Sequence, residues 1–161
     1  MNKKLLIILS LTISLFSSTI TVDVTADKFV SNKSKNITIF TGNVKMTKQK
    51  DFIICDKLTI KTLPSKNNTE TIAKEYIAEG NASFGLTSPT SIIKGKGDTI
   101  HYYPLDFKYV VVGNGYLEDT KDNRILVGNK IFLDEKTGSA NIEGEKDKPV
   151  KFTFQIKAKD K

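Results

Sequence analysis

The sequence contains few residues that could perform catalysis or bind a metal ion. His101 and Cys55 are its only histidine and its only cysteine. A zinc site of the usual composition needs several such ligands, and a cysteine nucleophile needs a histidine base with a third group that orients it. His101 also alternates with Ile100 and Tyr102, which predicts that it points away from this apolar pair. We therefore predict neither an enzyme nor a metal or cofactor site.

What recurs instead is an alternation of apolar and polar side chains with a period of two. From Thr21 onward, short runs rich in Val, Ile, Thr, Phe and Tyr are separated by clusters of Gly, Asn, Asp and Lys. No apolar repeat continues at helical spacing. These features are typical of strands that bury one face, so the sequence predicts an all-β fold.

The strands are organised by an internal repeat of four copies. Each copy begins with Asp or Asn before a short apolar strand, and a glycine follows 15 residues later in three copies. The second copy is longer, and its polar segment 62–68 is predicted to be an exposed loop. We interpret the glycines as turns between strands, and the copies as β-units that complete one apolar interior. The repeat positions are Asp27 with Gly42, Asp56 with Gly80, Asp98 with Gly113, and Asn129 with Gly144.

The first 19 residues have the layout of a signal peptide. A basic start is followed by an apolar run from Leu5 to Phe16 and then by a polar stretch. A membrane-spanning helix needs about 20 apolar residues, so we expect cleavage rather than a retained anchor. The predicted domain covers residues 20–157, followed by a short tail at 158–161.

The net charge of the whole chain is +7, and removal of Lys3 and Lys4 leaves 23 basic against 18 acidic residues, or +5. A basic protein favours an anionic partner. Nucleic acid and anionic lipid are both candidates by charge. Export across a membrane argues against nucleic acid.

Several motifs in order along the chain carry a resemblance to a known family. They include Thr41-Gly42-Asn43-Val44, then Cys55-Asp56-Lys57-Leu58, then Val112-Gly113-Asn114-Gly115. Together they resemble the OstA-like family of periplasmic lipopolysaccharide-transport proteins, the family of LptA. The resemblance implies an open, V-shaped antiparallel β-jellyroll of about sixteen short strands with an apolar groove.

The resemblance also implies a function and partners. The chain would carry lipopolysaccharide, through its lipid A part, across the periplasm of a Gram-negative bacterium. It would receive the lipid from the inner-membrane-anchored component of the export complex and pass it to the N-terminal periplasmic domain of the outer-membrane barrel translocon. Further copies would join end to end by strand pairing. Two alternatives are a membrane-anchored relative of the same fold and a structural envelope β-repeat protein that binds anionic polymers.

Fifteen apolar residues are predicted to face the groove, although the same pattern would fit a plain hydrophobic core. The resemblance singles out Val22, Val24 and Phe84. Bulges shift strand register by one residue, so Ile53 and Ile54 could exchange roles. The predicted set is Val22, Val24, Ile37, Ile39, Val44, Met46, Phe52, Ile54, Leu58, Ile60, Phe84, Ile100, Tyr102, Ile131 and Leu133.

Overall fold

The computed structural model describes residues 20–64 and 71–157, which form one antiparallel sheet of ten strands. The predicted signal peptide, the end of the predicted 62–68 loop and the predicted tail lie outside the described residues. Within them, no helix is long and apolar enough to cross a membrane. The strands are β1 (Val22–Thr25), β2 (Lys28–Asn32), β3 (Ile37–Lys48), β4 (Asp51–Thr62), β5 (Ala73–Thr87), β6 (Ile92–Tyr103), β7 (Lys108–Asp119), β8 (Arg124–Asp134), β9 (Ala140–Glu143) and β10 (Lys151–Thr153).

The six long strands, β3 to β8, pair in sequence order along the sheet. At one edge β1 and β2 both pair with β3, one with each end of it, and at the other edge β10 and β9 pair in the same way with β8. Each long strand therefore contributes one half of its length to each of two narrower sheets. The all-β, open antiparallel fold predicted from the sequence is confirmed.

The repeat glycines mark the places where the long strands bend. Gly42, Gly80 and Gly113 have φ angles of +82°, +76° and +75°, and each is followed by an asparagine whose φ is also positive. Two successive residues of this kind interrupt the regular pleat and shift the pairing register. The interpretation of these glycines as turns between strands is wrong, because all three lie inside a strand.

The repeat aspartates stabilise these bends, Asp27 from the link between β1 and β2, Asp56 from β4 and Asp98 from β6. The Asp27 carboxylate accepts a hydrogen bond from Asn43 Nδ2 at 2.9 Å, and the Asp27 N–H donates to the Gly42 carbonyl at 3.0 Å. Asp56 with Asn81 (2.9 Å) and Asp98 with Asn114 (3.0 Å) repeat the side-chain contact. Each carboxylate occupies the space that a Cβ atom would need on the adjacent glycine, so only glycine fits there.

The bends divide the sheet into two half-sheets, and the chain passes from one to the other at every repeat position. The hairpin half-sheet consists of four hairpins, residues 28–41, 57–62 with 73–79, 99–112 and 130–143. The terminal half-sheet consists of β1, residues 44–55, 82–97 and 115–128, and β10. Each repeat copy is thus one hairpin of the hairpin half-sheet. The two half-sheets contain sixteen strand segments, the number that the resemblance implies.

Candidate functional site

Two rows of apolar side chains face each other between the half-sheets. In the hairpin half-sheet the strand register aligns Phe29, Phe40, Leu58, Ala78, Ile100, Val111, Ile131 and Ile142. In the terminal half-sheet it aligns Val24, Met46, Ile53, Phe84, Gly95, Leu117, Leu126 and Phe152. Each row extends without a polar residue from one free edge of the sheet to the other.

Eleven of the fifteen predicted groove residues lie on the inner faces, the faces that the half-sheets turn toward each other. Eight are buried, and Val24 and Ile60 are partly buried against the core. Val22 lies at the free edge, where its side chain is 39% exposed. The buried eight are Val44, Met46, Leu58, Phe84, Ile100, Tyr102, Ile131 and Leu133.

The other four predicted residues lie on the outer face, so their assignment to the interior is wrong. Ile54 is 42% exposed, whereas its neighbour Ile53 is 3% exposed and takes the inner position. Phe52 lies on the same outer side as Ile54, opposite Gly85. Ile37 and Ile39 alternate with Thr38 and Phe40, and it is Phe40 that packs against the core.

The error has a physical cause in the two kinds of bend. Strands that contain the Gly-Asn pair keep their alternation through the bend, so Phe40 and Val44 share the inner face. In strands that contain the repeat aspartate the alternation of inner and outer residues changes at the bend. Cys55 and Leu58, three residues apart, are therefore both buried. The sequence pattern of one strand does not show whether the alternation is kept or changed at a bend, and a register shift of one residue exchanges the two faces.

An aromatic stack crosses the interior between the half-sheets. The distance between ring centroids is 4.6 Å for Phe84 and Tyr109 and 4.2 Å for Tyr109 and Tyr102. It is 5.8 Å for Tyr102 and Tyr76. The Tyr102 hydroxyl donates to Glu135 Oε2 at 3.3 Å. Burial raises the pKa values of Tyr102 and Tyr109, and the Glu135 carboxylate adds to the effect. These hydroxyls therefore stay neutral, and the middle of the interior is filled.

Toward β9 and β10 the half-sheets separate and leave a cavity of about 420 Å³. Its apolar lining comes from both half-sheets, with Leu117, Leu126 and Phe152 on one side and Leu133 and Ile142 on the other. This lining continues the two apolar rows to the edge of the sheet. The cavity is therefore an open end of the interior.

Charged residues lie where this end meets solvent. Asp119 accepts hydrogen bonds from Arg124 Nη2 at 3.1 Å and from Ser91 Oγ at 3.2 Å. Burial would raise the pKa of Asp119, but these donors outweigh it and hold that pKa below the usual range. The opening thus combines an apolar interior with an ionised rim, which suits an amphipathic ligand.

Both edges of the sheet are free of a further strand among the described residues. Phe29 in β2 is 62% exposed and Phe152 in β10 is 52% exposed, although both belong to the apolar rows. Beyond β10 the exposed Phe154 and Ile156 continue the same alternation. Unpaired edges with apolar side chains favour association with another strand.

Comparison with known proteins identifies the fold and the family. The family described as "LptA/(LptD N-terminal domain) LPS transport protein" matches residues 23–139. That range covers more than half of the chain. It contains every residue of the two apolar rows except those in β9 and β10. The chain belongs to this family.

A solved structure of an LptA-type protein has the same fold as this chain. It is LptH of Pseudomonas aeruginosa, described as the LptA homologous periplasmic component of the lipopolysaccharide transport device, with a TM-score of 0.73 and 17% sequence identity. The match covers 84% of this chain and 96% of that chain. No curated protein sequence matches the chain significantly.

Membership of the LptA-type family agrees with the sequence-based prediction that the chain has no catalytic site. The family consists of lipopolysaccharide-transport proteins, so the chain is a transport protein and not an enzyme. Within residues 20–64 and 71–157, no group of three His, Cys, Asp or Glu side chains could hold a metal ion. His101 lies on the outer face, where its Nδ1 is 2.9 Å from Glu75 Oε1. Burial raises the pKa of the Cys55 thiol to about 11, which keeps it unreactive.

Sequence reasoning missed several inner residues that the structure places in the apolar rows. Val111 lies in an unbroken apolar run, residues 109–112, where alternation carries no information about the face. Ala78 and Gly95 are too small to be recognised as interior positions by hydrophobicity. Only the register of the neighbouring strands identifies these three.

Proposed function

We propose that this LptA-type chain is a periplasmic carrier that binds lipopolysaccharide by its acyl chains between the two half-sheets. The observation that carries the proposal is the continuity of the two apolar rows from β1 and β2 to β9 and β10. A passage that is apolar throughout could hold acyl chains at any point along the sheet. Each buried CH₂ group contributes about 0.8 kcal/mol.

Movement of the lipid along this passage would require the half-sheets to separate at the aromatic stack. Phe84 and Tyr109 belong to different half-sheets, and their contact closes the middle of the interior. The cavity between Leu126 and Ile142 already offers an apolar surface at one end. We therefore expect acyl chains to occupy that end first and to displace the stack as they advance.

The experiment that tests the carrier function is photo-crosslinking in living Gram-negative cells. A photoreactive residue would replace Ile53 in one variant and Ile54 in the other, because these neighbours lie on opposite faces of β4. Phe84 serves as a second inner position and Lys61 as a second outer one. We expect lipopolysaccharide adducts from the inner positions only.

Equal adducts from Ile53 and Ile54 would contradict an interior binding site. Adducts from neither, in a folded and exported protein, would favour the structural envelope alternative. That alternative has one observation on its side, since the stack of Phe84, Tyr109 and Tyr102 resembles a closed core. Copurification of lipopolysaccharide with the protein that is lost on substitution of Ile53, but not of Ile54, would exclude the structural envelope alternative.

We further propose that the chain forms part of a bridge between the inner and outer membranes. One free edge would pair with the inner-membrane-anchored component, the other with the N-terminal domain of the outer-membrane barrel, and copies of the chain would join edge to edge. The exposed Phe29 and Phe152 at opposite edges support this arrangement. A strand added to each edge would also extend both apolar rows into the next molecule.

The bridge is tested by crosslinking from the edge and from the middle of the same outer row. Val30, Ile39, Thr59 and Ile77 are aligned by the register on the outer face of the hairpin half-sheet. A photoreactive residue at Val30 should give protein–protein adducts, whereas the same residue at Ile77 should give few. Adducts of equal yield from both positions would argue against an edge-to-edge join.

A further inference from the structure

The outer face of the terminal half-sheet presents lysines at regular intervals along one register row. The row consists of Lys45, Ile54, Ser83, Lys96, Tyr116, Val127 and Lys151, one residue from each of seven neighbouring strands. Neighbouring strands lie about 4.8 Å apart, so successive lysines are about 14 Å apart and the row spans about 29 Å. We call these seven residues the lysine row.

The lysines of this row are not neutralised by carboxylates. None of the ion pairs of the described residues includes Lys45, Lys96 or Lys151, and all three side chains are exposed. In the neighbouring outer row Lys94 faces Glu118 across the strands, so this pair adds no net charge. The lysine row is therefore the positive part of the outer surface of the terminal half-sheet.

On the outer face of the hairpin half-sheet, several lysines have carboxylate partners. Lys57 Nζ lies 2.8 Å from Glu79 Oε2, and Lys61 Nζ lies 2.9 Å from Glu75 Oε2. Lys130 faces Glu143 across the strand pair. By contrast, no acidic residue lies directly across the strands from Lys45, Lys96 or Lys151.

The residues between the lysines indicate what kind of anionic partner would fit. Ile54 is 42% exposed and Val127 36% exposed, and the Tyr116 ring packs beneath Lys96 Nζ at 4.9 Å. Aliphatic and tyrosine side chains between lysines are suited to the boundary between lipid headgroups and acyl chains. A soluble polyanion would leave Ile54 and Val127 in water and would gain nothing from them.

We propose that the lysine row is a docking surface for an anionic lipid bilayer, with lysines on the headgroups and the side chains of Ile54, Tyr116 and Val127 inserted between them. The surface lies on the face opposite the apolar rows, so it does not depend on the carrier function. Docking through it would hold the chain against a membrane while its interior remained free for the cargo.

Flotation with lipid vesicles tests this proposal. The protein would be recovered from the periplasm of an expressing bacterium, so that all variants share one N-terminus. Vesicles would contain phosphatidylcholine alone or with about 30% phosphatidylglycerol, a fraction that gives a strongly anionic surface. We expect binding to the anionic vesicles only, and loss of it at about 0.5 M salt, where charges are screened within a few ångströms.

The decisive variant carries Lys45→Glu, Lys96→Glu and Lys151→Glu. Each lysine at an anionic surface contributes about fivefold to binding, so the triple variant should bind at least about a hundredfold more weakly. A matched control changes Lys28, Lys108 and Lys130 to Glu on the outer face of the hairpin half-sheet, which gives the same net charge. The control should stay within about fivefold of the parent protein.

Three results would overturn the proposal. Equal losses in the two triple variants would show attraction by net charge without a docking surface, and no loss in either would show that the row plays no part. Binding to dextran sulfate that depends on the lysine row, without any binding to vesicles, would identify a soluble polyanion as its partner. A double variant, Ile54→Gln with Val127→Gln, should weaken vesicle binding but leave dextran sulfate binding unchanged.

Discussion

The two half-sheets are made from the same strands, yet they contribute differently to the interior. The hairpin half-sheet supplies bulk, with Tyr76, Tyr102 and Tyr109 stacked across its inner face. The terminal half-sheet supplies space, because Gly95 and Gly97 face inward there. One strand can therefore serve two layers with different side-chain volumes, provided that it bends at its middle.

Glycines next to the bend show how closely the side-chain volumes of the two half-sheets match. A Cβ atom on Gly97 would overlap Val111 Cγ1, and one on Gly128 would overlap Ile142 Cγ2. In both cases an aliphatic side chain of the hairpin half-sheet occupies the space beside a glycine of the terminal half-sheet. The half-sheets approach closely along the bend for this reason, and they separate only farther from it.

The largest expected effect distinguishes the inner face from the outer one. Phe84 and Phe52 each cover a glycine on the next strand, Gly95 and Gly85 respectively, but Phe84 faces the interior and Phe52 faces outward. We expect Phe84→Ala to lower the free energy of unfolding by about 3–5 kcal/mol. Phe52→Ala should cost no more than about 2 kcal/mol, since its ring is only partly buried.

Urea denaturation of the two alanine variants measures this difference directly. Both substitutions remove the same atoms from the same half-sheet. Equal losses of stability would contradict the assignment of one face as the interior.

The next effect concerns the bend itself. In Gly113→Ala the new methyl group would overlap the Asp98 carboxylate at a residue with a φ of +75°. We expect a loss of about 2–4 kcal/mol from the combined clash and backbone strain. Gly138→Ala is the matched control, because Gly138 has a φ of +69° but no atom within 4 Å of the added Cβ. It should cost about 1 kcal/mol.

Thermal unfolding of these two variants separates the clash from the strain. Their difference reports the space that Asp98 occupies beside the bend. A Gly138→Ala variant as unstable as Gly113→Ala would show that the aspartate contributes nothing.

A smaller effect tests the match of volumes between the half-sheets. Gly97→Ala should destabilise the protein by about 1–3 kcal/mol, because the new methyl group displaces Val111. In combination with Val111→Ala the methyl group gains room, so the double variant should be more stable than the sum of the single effects predicts. Additive effects in this double-mutant cycle would mean that the two residues do not compete for space.

The smallest effect concerns the ion pairs of the hairpin half-sheet. Burial would raise the pKa of Glu75, but hydrogen bonds from Lys61 and His101 outweigh it and hold that pKa below its ordinary value of 4.5. The ionised form therefore contributes stability above about pH 4.5, and this contribution is lost as the pH falls through the lowered pKa. It should amount to at most about 1 kcal/mol, since Lys61 is partly exposed.

Chemical denaturation of the parent protein and of Glu75→Gln at several pH values checks this prediction. The gap in stability between them should shrink as the pH falls below about 4.5. A gap that widens below about pH 4.5 would contradict the sign of the pKa shift.

Sequence alone determined the class of fold and the units from which it is built. Alternation of apolar and polar residues predicted strands, and the repeat of Asp or Asn with a later Gly predicted four similar β-units. Both are local properties of the chain, because pleat alternation and the backbone freedom of glycine depend on residues close in sequence. The same alternation placed His101 on the outer face correctly.

Only the tertiary structure decided which apolar residues share the interior. Ile53 and Ile54 are chemically identical neighbours, and the change of alternation at Asp56 buries one and exposes the other. Likewise Lys96 and Lys57 are indistinguishable by type, yet Lys57 has a carboxylate on the next strand and Lys96 has a tyrosine ring. Register between strands far apart in sequence determines such partners, and a pattern read along one strand carries no information about it.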